Sequence, residues 1–302
     1  MTTVDSSHVF YAFSPDLTPA AHAQQGEEIA LTTLDCFGNQ IHSAEDTLDA
    51  LDWSTINPAT GPVYVDGVAP GDVVRVRIVS LTPVGHATMT AIPGDGALAS
   101  RVTPETTILT NLPDAIVLDT GRGPLTLPSR PMIGVIGLAP ASGAVPNGTP
   151  GVHGGNMDCR LIGAGAAVYF RAAVPGGLFG CGDVHSLMAD GEVLVCGAET
   201  PAEVTVAVET IREKRLPVPF FENDEIYAAI ASAPTTDEAY HLATDHMHDF
   251  LTQIVGLGAN DAGRLMSLVG DLKFCQVVDP QVTVRSEFPK SVLRELGFTG
   301  LT

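Results

Sequence analysis

Lysine is nearly absent from this 302-residue chain. It occurs only at 214, 273 and 290, and the 15 lysines and arginines face 35 aspartates and glutamates. The formal net charge of −20 repels nucleic acid and anionic membrane alike, which removes both as general electrostatic partners. Cysteine is scarce too. The five residues at 36, 159, 181, 196 and 275 form no Cys-x-x-Cys pair, so neither a disulfide framework nor a zinc ribbon is expected, and the thiols read as reduced. No apolar run is long enough to cross a bilayer, and Met1-Thr2-Thr3-Val4-Asp5 lacks the basic-then-apolar pattern of a secretory signal. The expected location is the cytoplasm. A Gly-x-Ser-x-Gly elbow is missing, and Gly163-Ala164-Gly165 is not followed by the lysine of a phosphate loop.

What is present is apolar material and turn residues. A hydrophobic fraction of 45% with 31 Gly and 22 Pro describes a sizeable core built from strands and tight turns. Short strands are expected at Val9 to Phe13, Glu28 to Asp35, Val63 to Val65 and Val73 to Val79. Residues 84 to 150, rich in Gly and Pro, read as loops around a site, with strands only at Ala115 to Leu118 and Ile133 to Leu138. Strands return at Ala167 to Val174, Glu192 to Cys196 and Glu203 to Ile211. Helix is expected only near the C-terminus. Thr235-Thr236-Asp237-Glu238 is a capping-box sequence, and apolar residues then recur at helical spacing until Gly256. A second helix is expected from an Asn260 cap to Gly270, followed by a strand from Phe274 to Val278. The fold class is therefore mainly β, sandwich or barrel-like, with a smaller C-terminal α/β portion. It forms a single unit with subdomains near 1–80, 81–212 and 213–302.

Chemistry concentrates between 153 and 192. His153-Gly154-Gly155-Asn156-Met157-Asp158, Gly182-Asp183-Val184-His185 and Asp190-Gly191-Glu192 bring two imidazoles and four carboxylates into forty residues. So much charge is seldom buried without a partner, and a divalent metal is the commonest partner for several carboxylates. Asp183 and His185, two apart, leave an extended segment on the same face, as a ligand pair requires; an Asp–His hydrogen bond in a satisfied pocket is the plainer reading. In Ile29-Ala30-Leu31-Thr32-Thr33-Leu34-Asp35, alternation puts Asp35 at the end of an inward row, although Asp before Cys36-Phe37-Gly38 is also a turn starter. His241, Asp245 and His248 share a helix face and read as solvated surface.

These segments resemble the acetamidase/formamidase family. The likeness extends to Asp35-Cys36-Phe37-Gly38-Asn39-Gln40-Ile41, Asn57 to Val65, Pro131 to Gly137, Val174 to Phe179 and Cys275-Gln276-Val277-Val278-Asp279-Pro280, in the family's order. It implies hydrolysis of a short, neutral aliphatic amide, formamide or acetamide, by a metal-containing enzyme that assembles as a homodimer or higher homo-oligomer. With the resemblance, Asp35, His153, Asp158, Asp183 and His185 become the metal ligands, Glu192 the proton shuttle with Asp190 as its alternate, and Asn156 and Gly155 the substrate contacts. Imidazole mixed with carboxylate points to zinc, with calcium, magnesium or manganese as alternatives. Two departures from the family pattern, Ala189 before Asp190 and Cys159-Arg160 after Asp158, put the substrate more in question than the reaction. A larger or carbamoyl-type amide is the alternative substrate, and a metal-stabilised, non-catalytic β-rich binding protein the alternative class. Cys159 and Cys181 flank the cluster, but no thiol-amidase context surrounds them, and the Ser-Ser-Lys pattern is absent.

Overall fold

The computed structural model describes residues 1–301. Alternation along each strand sorts side chains between two cores. Val74, Val168, Phe170, Phe221 and Ile230 enter one cluster, while Val73, Tyr169, Phe220 and Ala229 enter another. Successive residues of one strand point to opposite faces, so this sheet is buried on both sides. It has nine strands, in the order Thr2–Val4, Glu28–Thr33, Ala202–Ile211, Val73–Pro83, Ala167–Arg171, Phe220–Glu222, Ile226–Ala233, Val282–Pro289 and Asp271–Gln276. Its strands come from all three stretches distinguished along the chain.

The first cluster also holds Val63, Ile133, Ile136, Phe179 and Val184 from a second, eleven-stranded sheet, so the two sheets pack face to face. The centre of that second sheet is Phe179–His185, which lies between Met132–Gly137 on one side and both Ala59–Val65 and Glu199–Thr200 on the other. Outside the nine-stranded sheet, helices Thr236–Asp249 and Ala259–Val269 supply Met247 and Ala262 to the other cluster. The mainly β architecture with a small C-terminal helical portion is thus observed. No helix among the described residues is long and apolar enough to cross a membrane.

The capping box forms as expected: the Thr235 hydroxyl accepts from the Glu238 backbone N–H at 3.2 Å. A π turn over Phe250–Ile254 extends that helix. The second helix starts earlier than expected, with Gly258 rather than Asn260 at its cap, and ends at Gly270 as expected. Three expectations need correction. Residues 84 to 150 hold a strand His86–Ala91 and a meander of Glu105–Leu112, Ala115–Thr120 and Gly123–Pro128, whose Thr-rich strands are closed by turns of two residues. Glu192 to Cys196 is a turn and not a strand, because Gly191, Glu192 and Val195 adopt positive φ and cannot continue a ladder. The last of the expected strands, Phe274 to Val278, is shifted to Asp271–Gln276.

Candidate active site

Three acidic residues of this region have left-handed backbone: Asp158 (φ 43°), Asp183 (φ 53°) and Glu192 (φ 47°). Each such non-glycine conformation costs about 1–3 kcal/mol and persists only where its surroundings impose it. Here it aims carboxylates inward. Asp183 lies within the strand Phe179–His185, and pairing with Met132–Gly137 skips it: Val184 faces Ile133 and Gly182 faces Val135. Gly134, in the gap, has no side chain because none would fit. A Cβ there would come within 2.4 Å of both Asp158 Oδ1 and Asp183 Oδ2. Gly197 is similarly forced, since its Cβ would lie 2.5 Å from His185 Nδ1.

The imidazole of His185 is the hub. Its Nε2 is 3.0 Å from Glu199 Oε2, 3.5 Å from Asp183 Oδ1, 3.8 Å from Asp158 Oδ1 and 3.9 Å from Glu192 Oε1. Although Glu199 is at hydrogen-bonding distance, the angles are not those of a hydrogen bond, and both atoms are left without a partner. Asp158 Oδ1 and Oδ2, His185 Nδ1, Asn156 Oδ1 and Asp279 Oδ2 are also buried and unpartnered among the described residues. Such a set is expensive in an uncharged interior. Two trios stand there, Asp158–His185–Glu192 and Cys36–Asp183–Glu199, in each of which one donor atom per residue lies within 4.8 Å of the others. Buried, unpartnered oxygen and nitrogen donors held by strained backbone suit a divalent cation.

Burial sets the protonation. It raises Asp158 to about 7, with Asp183's charge adding to it, and Glu199 to about 8. Burial and the Asp158 charge push Glu192 and Asp279 well above the carboxylate range. For His185, burial alone would depress the value, but Glu199 and Asp183 raise it well above normal. All these groups bind protons more tightly folded than unfolded, so stability falls as pH rises. For His185 the stabilisation is complete below its ordinary 6.5 and lost as pH rises through the higher folded value. His153 opposes this, because burial lowers it to about 4, but it is neutral in both states above 6.5. The metal-free protein is therefore expected to lose melting temperature, by at least several degrees, between about pH 6.5 and 8. A saturating divalent cation should abolish that slope. A flat or rising melting curve series in chelator would contradict this.

The structure brings Asp158, Asp183 and Glu192 together around His185. Asp35 is buried nearby but closes a turn: its Oδ1 accepts the Asn39 N–H and its own N–H donates to Asn39 Oδ1 at 2.9 Å. Burial raises it to about 6. His153 is not brought to the carboxylates. Its ring packs edge-on to Phe13 at 5.3 Å and beneath Gly151 and Gly155, because the tight 151–155 turn folds it back. Gly155 serves that turn and does not line the cavity, whereas Asn156 does. Asp190 is held away from the cluster by a bidentate pair with the fully buried Arg285 at 2.7 and 2.8 Å, and by Arg160 at 3.0 Å. Cys159 and Cys181 lie in the core between the sheets. The His248 imidazole meets the Ala259 carbonyl at 3.0 Å, a link between helices.

Sequence reasoning missed Glu199, Asp279 and Cys36 as site residues. Glu199 stands in a strand of only two residues, too short for any periodicity. Cys36 and Asp279 both sit in segments singled out above for their resemblance, and that was the available signal.

Residues 2–145 and 141–252 match the model of the Acetamidase/Formamidase family. The chain belongs to that family. Among solved structures, the family likeness is close to an acetamidase from Bacillus halodurans, with 37% identity, a TM-score of 0.94, and coverage of 98% of this chain and 100% of that one. A predicted acetamidase/formamidase from the thermophile Thermoanaerobacter tengcongensis gives 38% identity, a TM-score of 0.93, and 98% coverage of both chains. A formamidase from Methylophilus methylotrophus is 27% identical over 244 residues, covering 61% of this chain and 59% of that protein. A relative from Schizosaccharomyces pombe is matched over 63% of its length, so the chain spans about three-fifths of these two curated relatives.

Proposed function

We propose that this protein hydrolyses a short, neutral amide to its carboxylate and ammonia at the Asp158–Asp183–His185–Glu192–Glu199 cluster, with a divalent cation bound there. The observation that carries this reading is the buried set of unpartnered donor atoms around His185, in a family whose named members are acetamidases and formamidases. Asp158, Asp183, His185 and Glu199 would hold the cation, with Cys36 close to Asp183 and Glu199; an imidazole among carboxylates favours zinc. When bound, it supplies an electrophile for the amide carbonyl and a water of lowered pKa.

The residues themselves divide the remaining work by position. Asp183, Glu192, Glu199, Asn156 and Asp279 line a cavity of about 160 Å³, whereas Asp158 and His185 lie behind that wall. Asp158 and His185 therefore hold and orient. Glu192 faces the substrate space, and its raised affinity for a proton suits it to deliver one to the departing amine. The Asn156 amide faces the same space and can orient the substrate's polar atoms.

Elemental analysis of the purified protein, with ammonia release from formamide and acetamide before and after chelation, tests the reading. Bound divalent metal and turnover that is lost on chelation and restored by metal are expected. Metal loss that unfolds the protein, with no amide ever hydrolysed, would replace the enzyme by a metal-stabilised binding protein. Cys181→Ala is expected to keep most of the amide turnover, since burial pushes this thiol up to about 12 and it lies in the core. An acyl adduct on a cysteine, found by mass spectrometry during turnover, would overturn this.

A further inference from the structure

The inner cavity of about 160 Å³ meets a wider outer basin of about 630 Å³. Trp53 and Ile92 are the two residues common to both linings, so these side chains stand at the boundary between basin and inner cavity. Both are fixed in place. The Trp53 indole N–H donates to the Leu48 carbonyl at 3.1 Å, and its short helix is tied down where Asp52 accepts the Ser54 N–H and donates to Gln40 Oε1 at 2.8 Å. Ile92 begins a turn closed by the Asp95 N–H on the Ile92 carbonyl at 3.1 Å, and the same loop is fastened to the wall beside Glu192 by the Ala97 N–H on the Val193 carbonyl at 3.0 Å.

At about 160 Å³, the inner cavity is comparable with an engineered cavity of about 150 Å³ that takes up benzene. That accommodates formamide or acetamide and leaves no space for a long acyl chain. Glu45, Asp46, Asp49 and Glu105 line the outer basin, in a chain of net charge −20. Acids in a concave surface concentrate negative potential, so an anionic substrate is repelled on approach and a carboxylate product is driven out.

We infer that Trp53 and Ile92 form a selective neck that restricts this enzyme to uncharged amides with short acyl chains. The inference rests on the hydrolase reading above and assigns its specificity to two residues outside the carboxylate cluster. It is tested by kcat/KM for formamide, acetamide, butyramide and the monoanionic amide succinamate, in the wild type, Ile92→Ala and Trp53→Ala, with melting temperature and metal content identifying folded variants. The wild type should prefer acetamide to butyramide. Opening the neck should raise the butyramide-to-acetamide ratio at least about tenfold, the scale at which a pocket discriminates methylenes. Ile92→Val removes a single methyl from a half-buried side chain and should shift the ratio the same way by less. Succinamate should stay poor in Ile92→Ala and improve relative to butyramide in Asp49→Asn/Glu105→Gln. A wild type that turns over acetamide but shows no change of ratio in any folded variant would overturn the neck and leave the hydrolase reading standing. A wild type that uses succinamate as well as butyramide would overturn the charge filter. Failure of the metal-loaded wild type on every amide would overturn both readings together.

Discussion

Asp158→Asn is expected to abolish most of the proposed metal binding and to lower kcat/KM for a short amide by more than about 100-fold. Loss of a group that merely orients a ligand already costs about 10- to 100-fold in metal affinity or activity, and a residue with two buried, unpartnered oxygens stands closer than that. The change also removes a charge where charge is the binding principle. Asparagine keeps the shape and can adopt the left-handed backbone found here (φ 43°), so misfolding is not the expected route to the loss. The metal-free stability should move in the opposite direction. Asp158 raises the proton affinity of Glu192 and Asp279 by its charge, and a neutral side chain relieves that repulsion. Asp158→Asn in chelator should therefore melt at or above the wild type at about pH 8, while losing the wild type's stabilisation by added metal. The two melting curves, with metal content by elemental analysis, check this. Retained metal and activity would exclude Asp158 from the site.

How far this site was legible in the sequence depended on whether each residue's geometry was local. Asp183 and His185 were readable as a pair because two-residue spacing puts side chains on one face. Even so, the mechanism is more particular: a left-handed Asp183 opposite Gly134, where a Cβ would meet two carboxylates. His153 and Asp190 had the right chemistry and the wrong surroundings. The turn from Gly151 to Gly155 and a buried arginine 95 residues away along the chain determine where they point, and neither leaves a local trace. Glu199 joins from a strand of two residues, placed by pairing with Phe179–His185. The alternation of Ile29, Leu31 and Thr33 announced their buried face correctly, and the Thr235 cap announced its helix. The strands between 84 and 150 were hidden because Gly and Pro counts report turns, which hairpins need as much as loops do.

The sharpest separation of roles lies between two neighbouring acids. Glu192→Gln should keep the fold and most of the metal, because the amide has nearly the same shape and Asp158, Asp183, His185 and Glu199 are untouched. Turnover should nevertheless fall by about 100- to 10,000-fold, the contribution of a positioned proton donor, since an amide cannot carry the proton to the leaving amine. Asp190→Asn should do the reverse. Asp190 is the bidentate partner of Arg285, whose guanidinium is fully buried and whose remaining carboxylate partner is Glu287. Removing that charge leaves a buried cation partly uncompensated, at a cost of about 3 kcal/mol. A lower melting temperature with much of the turnover per folded molecule retained is the expected signature. The measurements are kcat, metal content and thermal unfolding for the two variants side by side, with kcat followed against pH in the wild type for the limb assigned to Glu192. An active Glu192→Gln beside a folded but dead Asp190→Asn would transfer the proton to Asp190. Metal lost from Glu192→Gln would make Glu192 a ligand instead, and the proton would then have to come from Asp279 or Glu199, the other raised acids on the cavity wall.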